Sequence, residues 1–265
     1  IILKIRKLPA KIFLTDYTAV VTAWLLELSI PSIAPWWITV LGTLFAIVVA
    51  KHFYGGIGSN LFNPAMIGYA ILLISFPAVM TKWQNPSHIN DMGLSLSIFL
   101  GGIDNYDAIA SATPLDYLKT ELLQGKNVSQ IMNEPIAKLT QMQWVSFGFF
   151  IGGIILLLTK VITWHLPLTY LVTLFVIASI FHLIDPNQFA PIQFQLLNGG
   201  TMLAAFFINT DPMSGPTTPN GKIVFARFIA TLVYVIRVVG GYPEGSAVAV
   251  IFANICVPLI DKLSR

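Results

Sequence analysis

The stretch YGGIGSNLFNPAMIGYAILL (54–73) has a counterpart in VGGYPEGSAVAVIFANICVP (239–258). Each opens on a Gly-Gly pair, passes through a short loop with a further glycine, and runs into an apolar helix. One full apolar segment precedes each. Before that comes a short segment that runs into proline, ELSIP (27–31) in the first case and INTDP (208–212) in the second. Three elements therefore recur in order. With an offset of five segments between matching elements, the second copy is inverted in a membrane. Inverted repeats with short segments interrupted by proline and glycine are a transporter-like architecture, with function near the repeat interface.

Composition supports the membrane reading. The chain has 265 residues, of which 55% are hydrophobic and 10% charged, against roughly 25% charged in soluble domains. Its mean hydropathy is +0.76. Long apolar runs point to helices and not to the alternating pattern of a β-barrel. Eight segments stand out, roughly 17–30, 36–51, 63–81, 144–159, 166–184, 197–210, 222–239 and 244–261. The expected fold is an all-α integral membrane protein with about eight transmembrane helices, some short or broken. The repeat further predicts two spans before residue 1, giving ten in the parent, and the isoleucine at position 1 agrees. The expected domains are an incomplete first repeat (1–81), a loop (82–143) and a second repeat (144–265).

Lys4, Arg6, Lys7 and Lys11 precede the first segment, and the positive-inside rule places them in the cytoplasm. Counting spans from there puts Lys51, Lys160, Lys222, Lys262 and Arg265 on the same side and loop 82–143 outside. That loop is net acidic, with Lys82, Lys119, Lys126 and Lys138 against Asp91, Asp104, Asp107, Asp116, Glu121 and Glu134. The single cysteine, Cys256, excludes an internal disulfide, a cysteine zinc site and a self-contained iron–sulfur cluster. His52, His88, His165 and His182 are scattered, so no metal site is expected. No phosphate-loop or dinucleotide fingerprint is present, and nucleic-acid binding is not indicated. No residue stands out as a catalytic acid, base or nucleophile.

Within the loop, Thr113-Pro114-Leu115-Asp116 is a helix opening, predicted over roughly 114–124. Threonine is an N-cap, proline suits the first helical position, and an acid in the first turn favours the dipole. The free N–H groups of a helix start also suit a phosphate, such as one esterified to Thr113. Pro114 keeps Thr113 extended, and Lys119 is a counter-charge. The similar stretch SGPTT (214–218) reads as a turn between helices on the cytoplasmic side. Asn63-Pro64 reads as the cap of the third segment. Among intramembrane charges, Glu27 and Asp211 occupy nearby positions in the two repeats. They are candidates for a cation or proton path, with Arg237 as partner.

The blocks SIPSIAPWW (29–37), AKHFYGGIGSNLFNPAMIGYAILLISFP (50–77), ATPLD (112–116), TDP (210–212) and GGYPEGSAVAVIFANICVPLID (240–261) resemble the family of D subunits of the Rnf (Rsx) ion-translocating electron transport complex. The B subunit of the sodium-pumping NADH:quinone oxidoreductase is a more distant likeness. The resemblance implies a ten-helix protein of two inverted halves in the bacterial inner membrane. It implies FMN joined by a phosphoester to the threonine of ATPLD, here Thr113, in a periplasmic loop. A separate flavin transferase attaches it, and a second, non-covalent flavin (riboflavin) is implied as well. The implied activity is that of one component of a redox-driven translocase, not active alone. It works with the A, B, C, E and G subunits to couple electron transfer between ferredoxin and NAD to cation transport. Where the family motif carries Ser or Thr three residues before the attachment threonine, this chain has Ala110, with Ser111 one place later. Without the resemblance, the residues equally allow a stand-alone secondary transporter.

Overall fold

The structure is a computed structural model that describes residues 15, 17–53, 60–84, 92–101, 110–137, 140–242 and 244–264. The basic cluster Lys4 to Lys11, the Gly-Gly-Ile-Gly loop (55–58), and Asp91, Asp104, Asp107 and Lys138 lie outside the described residues. The chain divides into two compact units, 1–111 and 112–265. The division falls inside the long loop, so the helix that begins after Thr113 belongs with the second unit.

In the first unit, α1 (Thr18–Glu27) begins after Tyr17 in the left-handed region. It stops before Pro31, since the residues ahead of a proline leave the helical region. The second segment forms α2 (Trp36–Leu44), which widens into a π-helix over Phe45–His52. Next, α3 (Pro64–Ser75) starts at Asn63, whose carbonyl oxygen accepts from the N–H groups of Ala65 at 3.0 Å and Met66 at 3.3 Å. The third segment is not one helix as expected. It breaks at Phe76 and resumes as a short α4 (Pro77–Met80), because Pro77 offers no N–H to the ladder. The helices α2 and α3 meet through glycine. A methyl group on Gly68 would stand 2.7 Å from the Gly42 carbonyl oxygen, so the close approach depends on small residues. Lys51, expected as a flanking charge, is buried at 5% exposure and donates to the Thr18 hydroxyl at the start of α1. Burying an ammonium needs such a partner. The unit also holds α5 (Met92–Phe99) and a two-residue antiparallel pair, β1 (Trp83–Gln84) with β2 (Ala110–Ser111).

In the second unit, α6 (Pro114–Leu123) and α7 (Val128–Ile131) pack on Ala190 and Phe194 through Leu115, Leu118, Val128 and Ile131. Apolar helices α8 (Thr140–Leu158) and α9 (His165–Ile184) follow. The sixth segment is broken: α10 (Ile192–Leu197) ends at Asn198, and α11 (Thr201–Leu203) restarts and widens to a π-helix over Ala204–Ile208. The long α12 (Pro219–Val238) and α13 (Ser246–Leu263) complete the unit. The core lies between α9, α12 and α13, around Tyr170, Leu174, Phe225, Ile229, Val233 and Ala249.

Helices fall on all eight apolar segments. Two of them, α9 and α13, are long and apolar enough to cross a membrane. In α9 only 22% of the apolar window is buried inside the protein. A soluble core helix of that composition would be mostly buried. Here Val172, Phe175, Ile180 and Leu183 face outward, as residues facing lipid do.

Candidate functional site

Thr113 caps α6 with an extended backbone (φ −69°, ψ 158°), the conformation that Pro114 imposes. Its hydroxyl oxygen accepts from the Asp116 N–H at 3.2 Å. It has no other hydrogen-bond partner among the described residues. At a helix start the first N–H groups lack intrahelical acceptors. Because Pro114 has no N–H and the Asp116 N–H is taken by the Thr113 hydroxyl, the donor left at this helix start is that of Leu115. One turn on, Lys119 donates to the carbonyl oxygens of Gly240 and, at 3.3 Å, Tyr242, strapping α6 to the turn after α12. Burial pushes the Lys119 ammonium down from its usual range, while Asp116 opposes the shift. Burial pushes the Asp116 carboxyl up, and Lys119 opposes that.

The stretch 214–218 behaves differently. Thr218 caps α12 and accepts from the Gly221 N–H at 3.0 Å, but its hydroxyl also shares a hydrogen bond with Ser264 at 2.5 Å. Thr217 donates through its N–H (3.0 Å) and hydroxyl (3.2 Å) to the two Asp261 oxygens. Both hydroxyls are committed to side chains, and the turn reading holds.

Between α6 and the end of α12 lies a cleft of about 570 Å³. It begins two residues after Thr113, at Leu115. Its apolar wall is the face of α6 formed by Leu115, Leu118 and Leu122. Val238, Gly240, Gly241, Phe189 and Ala190 also line it. A methyl group added to Gly241 would meet nothing within 4 Å. Polar side chains line it as well, among them Lys126, Asn127, Asn187, Gln195 and Arg237.

Arg237 is 6% exposed and densely bonded. One guanidinium nitrogen donates to the Gln195 carbonyl oxygen at 2.9 Å. The other donates to the Thr201 hydroxyl at 2.9 Å and to the Glu244 carboxylate at 3.0 and 3.2 Å. Glu244 also accepts from the Gly200 N–H at 2.9 Å, the Ser246 N–H at 3.2 Å and the Ser246 hydroxyl. The backbone closes over this pair at Gly199, in the left-handed region at φ +65°. A methyl group there would lie 2.0 Å from a Glu244 oxygen, so the position requires glycine. Two atoms in the cluster, Arg237 Nε and Asn198 Oδ1, are buried without a hydrogen-bond partner among the described residues.

The three charges expected along a cation path are not joined by hydrogen bonds. Glu27 is exposed at the end of α1 in the first unit. Asp211 is engaged locally, accepting from the Met213 N–H at 3.2 Å and the Ser214 hydroxyl at 2.7 Å. Arg237 is neutralised by Glu244. Sequence reading passed over Glu244, Gln195, Thr201 and Gly199. The signal for Glu244 was available: a carboxylate seven residues after an intramembrane arginine calls for a pairing test.

The family model described as the NQR2, RnfD, RnfE family matches residues 1–265. The chain belongs to this family. It is 48% identical over 283 residues to the D subunit of the ion-translocating oxidoreductase complex of Yersinia enterocolitica, covering all of this chain and 80% of that protein. The D subunits of the same complex in Vibrio vulnificus (46% over 290 residues, 82% of that protein) and Aeromonas hydrophila (46% over 283 residues, 81%) are similar across the whole chain as well. The family is one of membrane subunits, in keeping with the outward-facing apolar helices.

A phosphoester of FMN at Thr113 fits the residues present. The hydroxyl is half-buried, is held only by the Asp116 N–H, and stands one residue from the Leu115 N–H and beside a cleft of ligand size.

Proposed function

We propose that this chain is the flavin-carrying membrane subunit of an ion-translocating ferredoxin:NAD oxidoreductase complex, with FMN linked through phosphate to Thr113. The observation that carries the reading is a family match over every residue, together with a threonine hydroxyl at the start of α6 that is bonded only to the Asp116 N–H. When bound, FMN supplies one- and two-electron chemistry. Thr113 is an anchor in this reading and takes no part in electron transfer. The Leu115 N–H would hold a phosphate oxygen, as helix starts do, while the Asp116 N–H stays on the Thr113 oxygen. Lys119 offsets the Asp116 carboxylate beside that phosphate.

The chain has eight spans in this reading, arranged as parts of two inverted repeats, with Thr113 on the periplasmic side of a bacterial inner membrane. Packing in the second unit supports the side assignment. Lys119 bonds to Gly240, and the Val128 N–H donates to the Asn187 carbonyl at 2.8 Å, joining stretches that the span count puts outside. Lys222 meets Thr163 at 3.4 Å, and Thr217 meets Asp261, joining stretches it puts inside. Electrons and coupling ions pass with the help of the A, B, C, E and G subunits, and a separate flavin transferase makes the ester. A second, non-covalent flavin belongs to the same reading.

Mass spectrometry of the peptide that spans 112–119 tests the assignment. An FMN adduct on Thr113 is the expected result. A flavin-free peptide from a chain produced together with its transferase would refute it.

A further inference from the structure

We propose that the outward face of α12 docks a transmembrane helix of a different membrane subunit, one that presents an aspartate or glutamate carboxylate to Arg227 near mid-membrane. The inference rests on the reading of this chain as a multi-span subunit of a larger complex. It adds which face is covered and by what chemistry.

The helix carries two arginines with opposite surroundings. One side of α12, formed by Phe225, Ala226, Ile229, Ala230, Val233 and Arg237, is buried, and the helix packs against α9 and α13. Arg237, on that side, has the Glu244 carboxylate of its own chain at 3.0 Å. The other side is exposed. Asn220, Val224, Arg227, Thr231 and Val235 recur at intervals of three and four residues and so form one stripe. Thr231 satisfies its own hydroxyl by donating to the Arg227 carbonyl oxygen at 2.9 Å. The Arg227 guanidinium has no such outlet: it makes no hydrogen bond or ion pair among the described residues.

Depth decides what the partner is. Arg227 is the ninth of the 20 residues of α12, roughly 12 Å from the nearer end at about 1.5 Å per residue. A helix of this length is about 30 Å long, the thickness of the hydrocarbon core. Headgroup phosphates lie beyond its ends, farther than an arginine side chain reaches. A charge held at that depth pairs with another charge or faces protein. The planar guanidinium fits a carboxylate through two parallel N–H···O bonds. A second copy of this chain does not supply one. In its apolar helices the described carboxylates, Glu27 and Asp261, stand at the ends of α1 and α13, and Asp261 is taken by Thr217. Around Arg227, the exposed Val224, Phe228 and Val235 give the stripe an apolar rim for helix packing.

The test uses the whole complex, purified in mild detergent through a tag on this chain. The photo-cross-linker p-benzoylphenylalanine, in place of Val224 or Val235, reports what lies against the stripe. The expected product joins this chain to one transmembrane helix of one co-purifying subunit, with an aspartate or glutamate in that helix. Arg227→Leu should lower recovery of that subunit several-fold. The same variant, purified as a single chain, should keep its thermal midpoint, because leucine suits an exposed apolar face. Arg227→Glu should lose the subunit as well, and an arginine in place of the partner's carboxylate should restore it. Cross-links to phospholipid alone, or to a second copy of this chain, would overturn the proposal. So would full recovery of every subunit in Arg227→Leu, or a charge swap that restores nothing. If no other subunit accompanies the wild-type chain, the complex reading itself fails, and the interface with it.

Discussion

The two ends of α12 begin from the same chemistry and finish differently. At one end, Thr218-Pro219 opens the helix. In the same unit, Thr113-Pro114 opens α6, which Lys119 straps to the other end of α12. Both threonines cap through the hydroxyl, and both prolines occupy the first helical position. Yet the Thr218 hydroxyl is tied to Ser264 and its neighbour Thr217 to Asp261, whereas the Thr113 hydroxyl meets only backbone. The local motif makes a helix start. Its surroundings decide whether the hydroxyl is left available for chemistry. The ion content differs in the same sense: Arg237 is locked in a buried pair, while Lys222 makes one long contact to Thr163.

The sharpest way to break this comparison is at the hydroxyls. Thr113→Ala should abolish flavin fluorescence of the denatured band completely, and neither Thr217→Ala nor Thr218→Ala should reduce it. Flavin retained in Thr113→Ala would show that the likeness of the two starts extends to function. Next in size is the contrast in charge. Arg237→Gln leaves the Glu244 carboxylate, a quarter exposed, without its cation and should cost on the order of 1–3 kcal/mol of stability. Lys222→Gln, at an exposed contact, should stay within about 0.5 kcal/mol. Thermal unfolding in detergent measures both.

The caps themselves should be equal. In flavin-free chain, Thr113→Ala and Thr218→Ala should each cost about 1 kcal/mol, since each removes one side-chain acceptor from a helix start. A large asymmetry would mean that the Ser264 contact adds more than the cap does. The smallest effect concerns pH. Burial raises the Asp116 carboxyl in the folded state. Its stabilising contribution is therefore present below the ordinary carboxylate range and is lost as pH rises through the raised value. Asp116→Asn should flatten that decline in a stability–pH titration. A steeper decline in the variant would reverse the sign argued here.

Much of this was legible because it is local. The caps at Asn63 and Thr113 follow from Asn-Pro and Thr-Pro with a free side-chain oxygen, and α6 ends within one residue of its expected limit. The break at Pro77 was equally available from the missing N–H, yet hydrophobicity alone ran the third segment through it. What sequence could not supply is tertiary. The cleft assembles from stretches around 115–126, 187–195 and 237–241, which no spacing rule brings together. The burial of Lys51 was not foreseen because a positive-inside count weighs charges by position and not by burial. The Thr18 hydroxyl to which it donates lies 33 residues away. Arg237 was expected to partner Glu27 and Asp211 because those two carboxylates occupy nearby positions in the two repeats. The nearer carboxylate, Glu244, wins by reaching it across a single turn.

The Arg237–Glu244 pair also imposes an order on biogenesis. As the chain is synthesised, Gln195 and Thr201 exist before Arg237, but the balancing carboxylate follows seven residues later, on the far side of the Gly-Gly turn. Until that turn is made, the guanidinium at the end of α12 has neutral partners alone among these contacts, and a buried charge without its counter-charge is costly. The cluster is therefore complete only once the chain has passed the turn after α12 and reached Glu244, whose carboxylate also takes the Gly200 N–H.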